Sequence, residues 1–259
     1  MTAGPLLELA SVSKRFGSIV VADSLSLTLR GGDAVGMVGP NGAGKTSLFS
    51  LISGDLSPNS GEVRFEGRPV TRLDPAERCR LGIARTYQVP RSFEHMTVFE
   101  NVLVAAHRGA RLSGGDAADL AASVLEETHL REAANWPASR LGLVQRKRLE
   151  LARAMGSKPR LLLLDEVAAG LTEPEVAGLV EVVEGIRARG IGVIWVEHVV
   201  RALVGVVDRL ICLAGGRFIG DGEPLAVLAS PAVKEVFLGT SYSEAQSRRA
   251  KGGEHVVPN

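Results

Sequence analysis

The sequence predicts an α/β chain. A parallel sheet is covered by helices on both faces, preceded by an N-terminal antiparallel β subdomain and interrupted by an inserted α-helical subdomain. Three observations carry this. The runs Ala34-Val35-Gly36-Met37-Val38, Leu161-Leu162-Leu163-Leu164 and Ile191-Gly192-Val193-Ile194-Trp195-Val196 are apolar at almost every position. Strands of that kind are buried on both faces, as parallel strands between helices are. Leu25-Ser26-Leu27-Thr28-Leu29 instead alternates apolar and polar residues, the period of a half-buried antiparallel strand. Between the two blocks of apolar strands the pattern turns helical.

In chain order, residues 6–29 predict a small antiparallel sheet, and Gly61-Glu62-Val63-Arg64-Phe65-Glu66-Gly67 a further short strand ending in a turn. Asp74-Pro75-Ala76-Glu77 is a helix start, with an acidic N-cap and proline at the first helical position. Gly82 to Tyr87 reads as a strand leading into the helical insert, which occupies about residues 90–157. Thr97-Val98-Phe99-Glu100 opens its first helix with a capping box. Ser113-Gly114-Gly115 breaks the pattern before an alanine-rich second helix. After the leucine strand come a helix over 174–188, the strand 191–196 and another strand at 209–213. Residues 6–240 form the predicted domain. The polar, aperiodic stretch 241–259 reads as a disordered tail.

Bulk properties exclude several classes. The chain has 259 residues, 45% hydrophobic and 23% charged, enough for one domain with a good core. A net charge of +1 gives no polyanion-binding surface, so no nucleic-acid partner is expected. Cys79 and Cys212 lie far apart without metal-ligand spacing, which predicts free thiols in a reducing compartment. No signal-peptide pattern and no run of about 18 apolar residues is present. The chain reads as soluble and cytoplasmic, and any work at a membrane requires docking to another chain.

The chemistry starts at Gly39-Pro40-Asn41-Gly42-Ala43-Gly44-Lys45-Thr46. It matches the phosphate-binding pattern G-x-x-x-x-G-K-[ST] at every fixed position, between a strand and a helix, as the motif requires. Glycines let backbone N–H groups converge on an anion, and the following helix adds its positive end. Lys45 is expected to reach the β- and γ-phosphates and Thr46 to ligate Mg²⁺. The core is therefore that of a P-loop NTPase.

Asp165-Glu166 closes the leucine strand, at the sheet edge where α/β folds bind ligands. There Asp165 can hold Mg²⁺ or its water and Glu166 can polarise the attacking water; alternatively the pair only ends a strand. His198 follows the 191–196 strand at the same edge, a placement suited to a γ-phosphate contact. Gln88 is bland by composition.

In this order, the glycine loop, the glutamine at the entry to a helical lobe, the apolar-Asp-Glu strand and the later histidine resemble the ATP-binding cassette family over about residues 6–239. The resemblance implies ATP and Mg²⁺ as ligands. It implies that Phe16 stacks on adenine and that Gly39 to Ser47 hold the phosphates. It further implies that Gln88 touches Mg²⁺ and senses the membrane subunit, Asp165 stands behind the metal, Glu166 is the catalytic base and His198 touches the γ-phosphate. Arg85-Thr86-Tyr87-Gln88, Phe93 to Ala105, Ala168-Ala169-Gly170-Leu171 and the segment 228–239 are similar to the ATPase subunits of branched-chain amino acid importers. ATPases of urea and polar-amide importers and of a lipopolysaccharide exporter share parts of these features. Implied partners are a second cassette, transmembrane permease subunits and, indirectly, a solute-binding protein. The implied location is the cytoplasmic face of the cell membrane.

The chain departs from that family at its signature, Leu-Ser-Gly-Gly-Gln, which closes over ATP held by the other subunit. Here it reads Leu141-Gly142-Leu143-Val144-Gln145. The hydroxyl is lost, and β-branched Val144 is expected to resist positive φ and crowd close backbone approach. Val167 replaces a usual proline, and Thr172 a usual acid or asparagine. Tolerated drift is one reading. The other is an asymmetric pair in which this chain's complete Lys45, Asp165, Glu166 and His198 meet a competent signature on a different partner chain. A chromosome-maintenance ATPase would carry long heptads or a basic surface, and neither is present. A module that binds ATP without turnover conflicts with intact Glu166 and His198.

Overall fold

The computed structural model describes residues 4–236. Strands β1 (Leu7–Phe16) and β2 (Ile19–Leu29) form an antiparallel hairpin. Leu25, Leu27 and Leu29 all point into the core, as the period of two predicts. Then come β3 (Ala34–Val38), α1 (Lys45–Ser53), β4 (Ser60–Phe65), β5 (Arg68–Pro69), α2 (Pro75–Leu81) and β6 (Ile83–Arg85). Helices α3 (Val98–Arg108), α4 (Gly114–Glu127) and α5 (Leu143–Gly156) pack on one another in the predicted insert. The chain closes with β7 (Leu161–Asp165), α6 (Glu173–Ala188), β8 (Gly192–Val196), α7 (Val200–Leu203), β9 (Arg209–Ala214), β10 (Arg217–Gly222) and α8 (Pro224–Ala229). The predicted tail, 241–259, lies outside the described residues.

Two sheets result. The first is antiparallel, in the order β2-β1-β4-β5; the second runs β10-β9-β3-β8-β7-β6. In the second, β9, β3, β8, β7 and β6 are mutually parallel, and only the edge strand β10 is antiparallel, to β9. That last hairpin was absent from the sequence reading, because its second strand has no fully buried residue and carries two glycines.

The alternation of side chains divides the core into two. Leu161 and Leu163 face the layer built by α1 and the first sheet, together with Val35, Met37, Ile194 and Val196. Leu162 and Leu164 face the opposite layer, together with Val38, Val193, Trp195 and the apolar sides of the insert helices and α6. A strand buried on both faces has no polar side to show, so its sequence is uniformly apolar.

Caps start α2 and α3 where the sequence places them. Asp74 Oδ1 accepts from the Glu77 N–H at 2.7 Å while Glu77 Oε2 accepts from the Asp74 N–H at 2.9 Å. Thr97 and Glu100 repeat the exchange at α3. Asn101, fully buried, ties the linker ahead of α3 by bonding both the N–H and the carbonyl of Phe93.

Arg78 does for α1 what capping residues do elsewhere. It is 1% exposed, and its guanidinium donates to the Leu51 and Ile52 carbonyls at 2.7 and 2.9 Å, and to those of Leu73 and Thr71. Leu51 and Ile52 are in the last turn of the helix, where carbonyls lack intrahelical partners and a cation is favoured. Burial pushes the guanidinium pKa down from its ordinary value, and nearby Asp55 pushes it back up. Arg78→Met retains most of the packing but removes every donor. Each buried carbonyl left unpaired costs about 1–3 kcal/mol, so the expected loss is about 3 kcal/mol or more, read from the urea midpoint of far-UV circular dichroism.

Candidate functional site

Strand β3 ends at Val38, and the loop 39–44 turns straight into α1. Two glycines are required by geometry. Gly39 (φ 153°) and Gly44 (φ 107°) have left-handed backbones, and a Cβ would stand 2.1 Å from the Leu213 carbonyl oxygen at the first and 2.2 Å from that of Val21 at the second. No other residue fits either position. The loop is thereby wedged between the first sheet and β9, with its N–H groups and the positive end of α1 facing a cleft.

That cleft, about 550 Å³, is lined by Val21, Asn41 to Ser47, Gln88, Glu166 and His198. Sheet order explains the meeting. Reading β3-β8-β7-β6, the C-terminal ends deliver Lys45, His198, Glu166 and Gln88 to one edge in turn. The acidic strand β7 is not the loop strand's neighbour, since β8 lies between them.

Lys45 is 5% exposed, and its ammonium donates to the carbonyls of Gly39 (2.6 Å) and Pro40 (3.0 Å). These two residues back the lysine rather than line the cleft. Burial lowers the Lys45 pKa, while Glu166 and Asp165 pull it back up. Glu166 has φ 50°, a left-handed conformation rare outside glycine, at a cost of about 1–3 kcal/mol. Its carboxylate is bracketed: Oε2 accepts from Gln88 Nε2 at 2.6 Å, and Oε1 lies 2.8 Å from His198 Nε2. A carboxylate held by two polar side chains beside an anion-binding loop is placed where it can act on water as an acid–base group.

Other predicted residues stand apart. Asp165 is 2% exposed and does not line the cleft; its Oδ2 accepts from Arg85 at 2.8 Å. Arg85 was given no role from the sequence, although it closes β6 and also bonds Ser50 Oγ at 3.0 Å. A cation ending the strand next to the acidic strand was the available signal. Phe16 lies at the end of β1, half exposed, with the Lys14 ammonium 5.1 Å from its ring centroid. The cysteines are free, as expected, and burial pushes the Cys212 thiol up to about 11.

Residues 141–145 sit at the start of α5. Gly142 is the N-cap with φ −70°, and its N–H donates to Gln145 Oε1 at 3.3 Å. The helix is already under way at Leu143, and neither it nor Val144 has positive φ. Val144 thus keeps the helical backbone expected of a β-branched residue. What remains is a helix end without a hydroxyl, carrying an exposed Leu143 whose Cδ2 approaches Gly170.

Comparison with known proteins places this geometry. The ABC transporter family model matches residues 22–169. The high-affinity branched-chain amino acid transport ATP-binding protein BraF of Pseudomonas aeruginosa is 34% identical, over 91% of this chain and 98% of its own. The lipopolysaccharide export system ATP-binding protein LptB of Acidithiobacillus ferridurans is also 34% identical, over 92% and 98%. A crystal structure of the ADP conformation of an ATP-binding cassette of an ABC transporter superposes with a TM-score of 0.83 at 29% identity, covering 91% of this chain and 99% of that one. With the phosphate loop, the acidic strand end, the glutamine and the histidine converging on one cleft, the chain belongs to the ABC transporter family, as an ATP-binding cassette of the ATPases that power transport.

Proposed function

We propose that this chain is the ATP-hydrolysing subunit of an ABC importer that takes up branched-chain amino acids or a similar small polar solute through a separate permease. The observation that carries the reading is similarity to BraF over most of both chains, joined to a cleft that brings Lys45, Thr46, Gln88, Glu166 and His198 together. Among the described residues no helix is long and apolar enough to cross a membrane. The subunit thus docks on the cytoplasmic face of the membrane against permease subunits, which meet a solute-binding protein outside. LptB matches at the same identity, so lipid export is the second reading.

In the proposed mechanism the N–H groups of the loop and α1 cradle the phosphates of ATP, and Lys45 exchanges its carbonyl partners for phosphate oxygens. Phe16, on the hairpin next to the loop, stacks on adenine. The oxygen donors of Thr46 and Gln88 at the cleft, with Asp165 behind, suit a hard cation; bound Mg²⁺ would neutralise charge on the transferring phosphoryl group. Glu166 accepts the proton of the attacking water as its oxygen bonds to the γ-phosphorus and the bridging oxygen leaves with ADP. Gln88 and His198 hold that carboxylate in place, and His198 is near enough to contact the γ-phosphate.

One cassette supplies half of a shared pair of sites, and a second, different cassette completes it. Residues 141–145 face the partner's ATP without the serine hydroxyl. Loss of one such contact costs about 3–4 kcal/mol of transition-state stabilisation, which makes the partner's site the slower one. Three outcomes are expected. The complex isolated from its native membrane contains a permease pair and a second cassette, and adding leucine with the binding protein stimulates phosphate release; stimulation by lipopolysaccharide instead would favour the second reading. Glu166→Gln lowers phosphate release at least a hundredfold, whereas the matching change in the partner lowers it less than threefold; equal losses would remove the asymmetry. Gly142→Ser with Val144→Gly raises the residual turnover of the Glu166→Gln complex at least tenfold.

A further inference from the structure

Two buried charges lie behind the catalytic turn, and the mechanism above does not use them. Lys147, 8% exposed, belongs to the first turns of α5, two residues after the segment that faces the partner. Its Nζ donates to the backbone carbonyl of Glu166 at 3.1 Å. Glu197, 1% exposed, directly follows β8. Its Oε1 accepts from the Ala168 N–H at 2.6 Å and from Trp195 Nε1 at 3.1 Å, while its Oε2 is buried with no hydrogen-bond partner.

The turn from Glu166 to Ala168 is thus held at both ends by ionisable side chains. The Glu166 N–H donates to the Val196 carbonyl at 3.0 Å, so two of the three contacts act on the residue that sits at φ 50° and the third, from Glu197, holds the turn two residues on. Ordinary turns are closed by neutral partners at little desolvation cost. Two charges taken out of water to fix one turn, with one oxygen left unpaired, point to a requirement beyond stability. Burial pushes the Glu197 pKa up and the Lys147 pKa down, and each charge partly offsets the effect on the other.

We propose that Lys147 and Glu197 are positioning residues for Glu166, and that Lys147 couples the two nucleotide sites. Residues 141–145 would move with the partner's nucleotide, and Lys147, rigidly attached one turn later, passes that movement to the carbonyl of Glu166 in this subunit's own site. The inference rests on the reading of Glu166 as the catalytic base.

The test uses the assembled complex carrying Lys147→Met, Glu197→Leu, Glu197→Gln or Glu166→Gln, with phosphate release measured against ATP concentration. Lys147→Met and Glu197→Leu are expected to lower kcat at least tenfold with KM for ATP within twofold of wild type. Glu197→Gln, which keeps an oxygen for Ala168, is expected to retain kcat within threefold. The Hill coefficient for ATP is expected to exceed 1 in the wild type and to fall to 1 in Lys147→Met. A kcat loss matched by an equal KM change, or by failed assembly, would reduce both residues to structural roles and overturn the proposal. A Hill coefficient of 1 in the wild type, or one unchanged by Lys147→Met, overturns the coupling. Turnover lost in Glu166→Gln but kept in Lys147→Met overturns the inference alone. Turnover kept in Glu166→Gln overturns the assignment of Glu166, and the inference with it.

Discussion

Everything in the cleft depends on β3 lying inside a parallel sheet with β8 and β9 on either side. Parallel strands all leave the sheet at the same edge, so residues far apart in sequence are gathered there by topology alone. The phosphate loop occupies that edge by close backbone approach: Gly39 rests against the Leu213 carbonyl of β9, and Gly44 against Val21 of the first sheet. The antiparallel subdomain is therefore part of the site's frame. Moving the hairpin β1–β2 would release one wall of the loop.

The second constraint is the left-handed turn at Glu166. A residue held at φ 50° relaxes unless its surroundings over-determine it. Here side-chain and backbone bonds come from four directions: Gln88, His198, Val196 and Lys147. They originate on β6's exit, β8's exit, β8 itself and α5. A single residue thus draws together the parallel sheet and α5, so a shift of α5 relative to the sheet must be felt at its carbonyl.

Much of this was legible in the sequence, and the reason is periodicity. Uniform apolar strands, the alternating hairpin, one capping box, one N-cap followed by proline and the phosphate loop are local patterns, each read within about eight residues. Lys45, Glu166 and His198 came out together because each follows a strand, and parallel strands share an exit edge, whereas Gln88, bland by composition, entered only through the family resemblance. Arg78, Arg85, Lys147 and Glu197 did not come out. Each is a buried ion whose partners lie on other elements, such as Arg78 on the end of α1 and Arg85 on Asp165. In sequence they look like solvated charges on a helix or at a strand end. At Val144 the residue type was the signal: a β-branched side chain resists positive φ, and Val144 is an ordinary helical residue in the first turn of α5.

That helical backbone sets the physical meaning of the altered segment 141–145. Val144 does not strain its backbone, so the helix end is regular, and the difference lies in what it presents outward: an exposed Leu143 and no hydroxyl. An intact helix dipole still favours an anion at that end. Such a surface can close over a partner's nucleotide while stabilising the transferring phosphoryl group poorly. On the proposed asymmetric pairing, binding and closure survive where catalysis is weakened, and the Lys147 contact from α5 to the Glu166 carbonyl is untouched by the altered segment.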